Sequence, residues 1–218
     1  DRLWELASDV PGGSDAQLQF IKSFALLARS GQQLDRVAGL LDGSVALAGL
    51  DVDQDLRWEL VASLVAGGRL GQADIDAELE RDNTSSGQNA AALAKAAIPT
   101  PEAKAEAWES IVVKGELSNA IQASAVAGFT RVLDTELLEP YAEKYFQAVP
   151  GIVTERTFAL AQQIVVGLYP AQLTGQAIVD RTDEFLASLP EESAALRRMM
   201  LENRDGVARA LRARAADV

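Results

Sequence analysis

Breaks in helical sequence recur along the whole chain, and their spacing restricts the fold more than any other feature. Glycine, proline and serine interrupt the sequence at short, fairly even intervals: Gly12-Gly13, Gly43, Gly67-Gly68, residues 84–87, Pro99 to Pro101, Gly115, Pro150-Gly151, Tyr169-Pro170 and Pro190. The segments between them are roughly 12 to 20 residues long, the usual length of globular helices. The spacing therefore predicts a succession of short helices.

The apolar residues inside these segments follow helical spacing. Leu56, Leu60 and Leu64 recur every four residues, and the stretches 154–169 and 178–189 repeat this pattern. Strand signals are weak, since only residues 44–50 alternate, and one isolated strand has no partner to pair with. We interpret residues 44–50 as an extended linker between helices.

Four polar residues precede helical segments where a side-chain oxygen could accept a free helix amide. These predicted N-caps are Asp15, Asp53, Thr154 and Thr174. Together with the spacing, they predict about ten to twelve helices with short connections. The expected fold class is all-α, with paired antiparallel helices stacked as a HEAT-like α-α superhelix. We expect one domain over residues 1–218, and the absence of an initiator Met suggests a fragment of a longer chain.

Charge and composition exclude several classes of function. The formal charge of -12 opposes binding to a phosphate backbone, so we expect no nucleic-acid partner. The chain has no cysteine and no histidine, which removes thiolate catalysis, the usual general base and the commonest transition-metal ligands. The sequence nowhere has the roughly 18 unbroken apolar residues of a spanning helix, so we expect no membrane partner and a cytoplasmic location.

Two short motifs resemble functional sites and have simpler explanations. Residues 51–62 begin like a calcium loop, but Leu56 and Ala62 replace the required glycine and glutamate, so the acids are expected at a helix N-terminus. Asn83-Thr84-Ser85 matches the glycosylation sequon, and we interpret it as a loop that caps a helix beginning near Ser85 or Ser86. No sequence motif for an active site is present.

Two further features suit either a structural or a binding role. Tyr141 and Tyr145 stand four residues apart on one helix face, where core packing with both hydroxyls at a wet edge is expected. The one basic stretch is residues 192–218, with six arginines. It is expected to form a final helix with cations near its C-terminus, and docking to an acidic domain or a peptide carboxylate is the alternative.

Several spaced motifs together resemble the C-terminal helical domain of zinc-dependent M1 family aminopeptidases. The similarity is greatest to the actinobacterial members and extends to the endoplasmic-reticulum aminopeptidases. It covers most of the chain, and its most specific positions are Arg57-Trp58, Pro99, Trp108, Asn119, Gly128-Phe129, Pro140-Tyr141 and Tyr145-Phe146.

The resemblance implies a bowl or superhelix of paired helices that follows the catalytic domain and closes over its active site. It implies peptide substrate and the catalytic domain of the same parent chain as partners. The family's exopeptidase and zinc motifs are absent from this sequence. We therefore expect no catalytic residue, metal ligand or cofactor in this chain, which alone is not expected to be an enzyme, and zinc in the parent enzyme.

Four residues are the candidates for contact with a bound peptide, because arginine and tyrosine suit carboxylate and backbone groups. They are Arg57, Arg131, Tyr141 and Arg156. The resemblance implies a non-catalytic domain that gates or holds the peptide while the parent enzyme removes N-terminal residues. The alternative is a free-standing helical-repeat scaffold that binds a partner protein in its groove.

Overall fold

The computed structural model describes residues 1–217, in which twelve α-helices and no strand are found. The helices are α1 Arg2–Asp9, α2 Asp15–Leu27, α3 Gly31–Asp42, α4 Gln54–Ala66, α5 Gln72–Arg81, α6 Ser85–Ala97, α7 Pro101–Trp108, α8 Asn119–Phe129, α9 Glu139–Glu155, α10 Phe158–Gly167, α11 Gln176–Ser188 and α12 Ala194–Ala216. A π-helix, Glu109–Lys114, continues α7, and 3-10 helices span Thr135–Leu138 and Ala171–Leu173. The predicted all-α class and the helix number are confirmed.

The helices form two rows. Each even-numbered helix contacts the next even-numbered one, from α2 through to α12. Each odd-numbered helix packs against the even-numbered helix that follows it, from α1 with α2 to α11 with α12. Stacked helix pairs produce this arrangement, as expected for an all-α superhelix. That the pairs resemble HEAT repeats stays a prediction.

The predicted caps were right at one position, wrong at two and displaced at the fourth. Asp53 caps α4, and its carboxylate accepts the Leu56 amide at 2.8 Å. The cap of α2 is Ser14, one residue before Asp15. Thr154 lies inside α9, and Thr174 precedes an α11 whose cap position is a glycine. Hydroxyls near a helix end can bond carbonyls as well as amides, and both threonines do so.

The sequon and linker predictions are confirmed. Helix α6 begins at Ser85, and its cap is Thr84, whose hydroxyl accepts the Gly87 amide and donates to Asp82. Residues 44–50 are irregular and join α3 to α4. Both segments connect helices.

The predicted break at Pro150-Gly151 was wrong, because α9 runs through it to Glu155. A proline inside a helix removes one backbone hydrogen bond, which water can replace where the helix faces solvent. Pro150 and Gly151 are both exposed, whereas Val149 and Ile152 beside them are buried. The buried apolar face therefore keeps the segment helical.

Three hydrophobic cores follow one another along the rows. The first core joins α1 to α4 around Ile21, Leu34 and Leu60, and the second lies between α4, α5 and α6. The third core fills the C-terminal half, from α6 to α12, and contains most of the buried aromatic side chains. The expected stripe on α9 belongs to this third core.

One tyrosine prediction was wrong in detail. Tyr145 is 1% exposed, and its hydroxyl donates to the Val165 carbonyl at 2.6 Å, with the Met200 sulfur 3.3 Å away. The hydroxyl therefore lies inside the core and not at a wet edge. The end of α10 supplies its acceptor, and no local pattern in α9 indicates that approach.

Candidate functional site

Arg57 is held inside the domain by an ion pair. From α4 its guanidinium donates to both carboxylate oxygens of Glu78 on α5, at 2.9 and 2.8 Å, and to the Leu41 carbonyl at 3.2 Å. Glu78 is 5% exposed and also accepts from Gln54. The hydrogen bond from Arg57 lowers the pKa of Glu78, and the same bond raises the pKa of Arg57. These contacts join α3, α4 and α5.

Arg131 lies at the junction between the N-terminal and C-terminal halves. It follows α8, and its Nη2 donates to the Ser63 hydroxyl on α4 at 2.6 Å. Ser63 in turn donates to the Ala25 carbonyl on α2 at 2.6 Å. No salt bridge among residues 1–217 involves Arg131. Burial lowers the pKa of Arg131, which the charge of Glu59 partly offsets.

The Arg131 side chain lines an open cavity of about 240 Å³. Apolar walls come from the end of α2, with Leu26 and Leu27, and from Val132 and Leu133 after α8. Arg29 and Gln172 also line it, and no acidic residue does so within the described part of the chain. An arginine is always charged and suits a carboxylate, so the cavity could accept an anionic group next to an apolar one.

Tyr141 belongs to an aromatic cluster. It is 8% exposed, and its ring centroid lies 5.2 Å from that of Trp108 and 5.1 Å from that of Phe129. The Lys144 ammonium lies 4.9 Å from the Tyr141 ring centroid. Burial raises the pKa of the Tyr141 phenol. The ring packs in the third core.

Arg156 holds the end of the π-helix. It follows α9, and its Nη2 donates to the Val112 carbonyl at 2.8 Å. Its guanidinium lies against Gly115, which has φ +64°, and a β-carbon there would overlap it. Nη1 of Arg156 is buried and has no hydrogen-bond partner among the described residues.

The structure does not bring the four candidates into one site. Arg57 lines a cavity with the linker after α3, and Arg131 lines the separate cavity at the junction. Tyr141 and Arg156 pack within the C-terminal half. Of the four, Arg131 combines a charge, a missing carboxylate partner and an open cavity.

The sequence interpretation missed Lys104, the most unusual charged group of the described chain. Lys104 is fully buried on α7, and its ammonium donates to the carbonyls of Ala96 at 2.6 Å and Phe129 at 2.9 Å. These carbonyls lie at the C-terminal ends of α6 and α8, where the helix dipole favours a cation. Burial nevertheless lowers the pKa of Lys104 to about 7. Its spacing from Trp108 and Ile111 on one face could have indicated it.

The arginines of α12 contact neighbouring parts of the fold. Arg197 donates to the carbonyls of Leu186 and Leu189 at the end of α11, at 2.9 and 3.0 Å. Arg204 makes a two-bond ion pair with Asp183 at 2.8 and 2.7 Å. These contacts support the expected structural role of the basic stretch.

The described residues hold no group of three or more histidine, cysteine, aspartate or glutamate side chains that could bind a metal ion. No helix within residues 1–217 is both long enough and apolar enough to cross a membrane.

Comparison with known proteins gives two matches. Residues 1–209 match the family described as the ERAP1-like C-terminal domain. Over 205 residues the chain is 51% identical to aminopeptidase N of Streptomyces lividans, a match that covers 94% of this chain and 24% of that protein. The chain thus spans about a quarter of the length of the curated relative it matches.

Proposed function

The chain belongs to the ERAP1-like C-terminal domain family, and from this we propose that it is the non-catalytic C-terminal domain of an M1 family zinc aminopeptidase. In this proposal the domain encloses the active site and holds the peptide while the parent enzyme removes N-terminal residues. The observation that carries it is the 51% identity to a quarter of an aminopeptidase. The partners are then the catalytic domain of the parent chain and the peptide substrate, in the cytoplasm.

The residues of this chain do not fit a zinc site. The sequence has no histidine or cysteine, and the described acids do not form a cluster that could bind a metal. We therefore assign the zinc to parts of the parent enzyme outside this chain, where it would supply an activated water. The contribution of this domain is to enclose and position the peptide.

Arg131 is the candidate that best supports a holding role. Arg131 is partly buried and has no carboxylate partner, which weakens its solvation, and an incoming carboxylate would offset that loss. The Ser63 hydroxyl, which itself donates to the Ala25 carbonyl, holds the Arg131 guanidinium in place, so less side-chain entropy is lost on binding. The apolar walls of the cavity suit an apolar side chain next to the carboxylate. Arg57, Tyr141 and Arg156 are proposed contacts of lower rank, because they already pack or bond within the domain.

The test begins with the natural gene product. Native mass spectrometry with zinc quantification should find a chain several times longer than this one, with one zinc, that cleaves aminoacyl substrates. A natural product of this length without metal would contradict the proposal and favour the free-standing scaffold.

Arg131→Gln in the full-length parent tests the holding role. We expect KM for long peptides to rise roughly tenfold, the loss of one charge-assisted contact of about 1.4 kcal/mol, while kcat/KM for a single aminoacyl substrate stays unchanged. Arg209→Gln, at an exposed position on α12, is the matched control. Equal KM values for the Arg131 and Arg209 variants would exclude a contact between Arg131 and the peptide.

A further inference from the structure

An open groove runs between α8 and α10 on the row of even-numbered helices. Its cavity volume is about 500 Å³. None of the described residues that line it is charged, although the chain carries 32 acidic and 20 basic residues. Its apolar lining residues include Ala123, Ala127, Ala159 and Val166.

The apolar surface of this groove is unusually exposed. Val166, which lines the groove, is 45% exposed. Phe158 does not line it but precedes the lining residue Ala159 at the start of α10, and it is 63% exposed, the highest fraction among the large hydrophobic side chains described. The exposed surface of the groove is small and uncharged, and it includes the polar side chains of Thr130, Gln162 and Gln163. It therefore suits contact with an uncharged segment of chain.

Hydrogen bonds and close packing hold together the two helices that form the groove. Gln122 is 1% exposed, and its amide donates to the Leu160 carbonyl at 3.0 Å and to the Gln163 side chain at 2.9 Å. Gln163 donates back to the Asn119 carbonyl at 3.3 Å. Gly167 packs so closely on Val126 that a β-carbon would overlap it. A preformed groove loses little entropy when a partner binds.

We infer that the α8–α10 groove is the surface on which the rest of the parent chain docks, through an uncharged apolar segment that lies outside residues 1–218. This inference rests on the proposed function, since it requires a longer parent. About three quarters of the relative's length lies outside the matched region, so such a parent has ample chain to cover the groove. Interfaces between domains of one chain typically bury about 600 to 1,500 Å².

The charge of the chain favours this occupant over a second copy. Two copies would each bring a net charge of -12, and their mutual repulsion opposes association. A segment of the same chain has an effective concentration on the order of millimolar and needs only modest affinity. An uncharged groove also adds no repulsion against an acidic neighbouring domain.

The groove adjoins the Arg131 cavity at Thr130, so docking here would place that cavity beside the domain junction.

Photo-crosslinking in the full-length parent tests the inference. Benzoylphenylalanine replaces Ala127 or Val166 in the groove. In the control proteins it replaces Ala105 on α7 or Ala187 on α11, which are exposed positions in the odd-numbered row. We expect irradiation to give intramolecular crosslinks from both groove positions to parts of the parent chain outside residues 1–218. The crosslink yield should be several-fold higher than at the control positions. Yields equal to the controls, a band of dimer size, or crosslinks that form only with added peptide substrate would each overturn the inference.

A charge substitution in the groove provides a second test of the proposed contact. With the crosslinker at Ala127, Val166→Asp should reduce the yield several-fold, because it places a carboxylate in the apolar contact. Val113→Asp is the matched control, since Val113 is a valine 58% exposed on the π-helix. An undiminished yield with Val166→Asp would contradict the proposed contact.

The two proposals fail separately. An active zinc aminopeptidase whose groove gives no crosslinks would retain the proposed function and lose this docking surface. A longer parent that crosslinks through the groove and cleaves no aminoacyl substrate would retain the surface and lose the function.

Discussion

The two halves of the chain are held together by different means. The N-terminal half has two smaller cores and polar contacts between its helices, such as the Arg57–Glu78 pair and the bond from Trp58 to Asp82 at 2.9 Å. The C-terminal half has one continuous core rich in aromatic side chains. Between them, Arg131 reaches the Ser63 hydroxyl across the junction. Lys104 on α7 joins the ends of α6 and α8 at the start of the C-terminal half. A continuous aromatic core thus distinguishes the second half, whereas directed polar contacts between helices occur in both halves and at the junction.

The largest loss of stability is expected from a substitution in the aromatic core of the C-terminal half. Phe146 is 2% exposed and lies 5.2 Å from the Tyr145 ring and 5.7 Å from the Phe185 ring. Phe146→Ala should lower the free energy of unfolding by about 3 to 5 kcal/mol, through lost transfer energy and a cavity. Phe158→Ala, at an exposed phenylalanine, is the control and should change it by less than about 0.5 kcal/mol. Urea denaturation measures both, and equal losses would contradict the comparison.

In the N-terminal half, the corresponding substitution that should lower stability is Glu78→Gln. It leaves Arg57 without its counter-ion, and removing one partner of a buried pair costs about 3 kcal/mol. Because the folded pKa of Glu78 is lowered, its contribution is present above the unfolded pKa and is lost as pH falls through the folded value. Denaturation from pH 7 to pH 3 should therefore show a smaller loss of stability on acidification for the variant than for wild type. Parallel curves would exclude this linkage.

The contacts of Lys104 with the ends of α6 and α8 can be tested through pH. The unfolded amine titrates near 10.5 and the folded amine at about 7, so the unfolded state binds more protons between these values. Stability of the wild type should rise with pH in this window, by up to about 1.4 kcal/mol per unit. Lys104→Met removes that rise. The free energy of unfolding of the wild type minus that of the variant should therefore increase by about 2 kcal/mol from pH 7 to pH 9. A difference independent of pH would show that the amine stays charged on folding.

The smallest effect is expected from the hydroxyl link at the junction. Ser63→Ala removes the acceptor of Arg131 and the donor to Ala25, which should cost about 1 to 2 kcal/mol. The exposed Ser8, whose hydroxyl bonds a carbonyl of its own helix, is the control position, and Ser8→Ala should cost much less. Thermal unfolding of both variants measures the difference. Equal shifts in Tm would show that the link adds nothing to the contact between halves.

The fold followed closely from local sequence, and the site did not. The four-residue spacing of leucines on α4 and the cap at Asp53 are local signals, and both were interpreted correctly. The failure at Pro150 has a tertiary cause, since the buried neighbours Val149 and Ile152 keep the chain helical through a usual helix breaker. The four candidates were chosen by residue type, and type alone does not distinguish the paired Arg57 from Arg131 without a carboxylate.

The sequence alone determined the all-α class and a range of about ten to twelve helices, because periodicity and turn residues operate over short stretches of chain. Its spaced motifs also carried the resemblance to the family. Tertiary structure decided which charges are paired, since Arg131 and Ser63 are 68 residues apart and Arg57 and Glu78 are 21 apart. It also buried Lys104 at two helix ends and left the α8–α10 groove uncovered. Burial and partnership depend on which helices meet, and that is fixed only when the rows have packed.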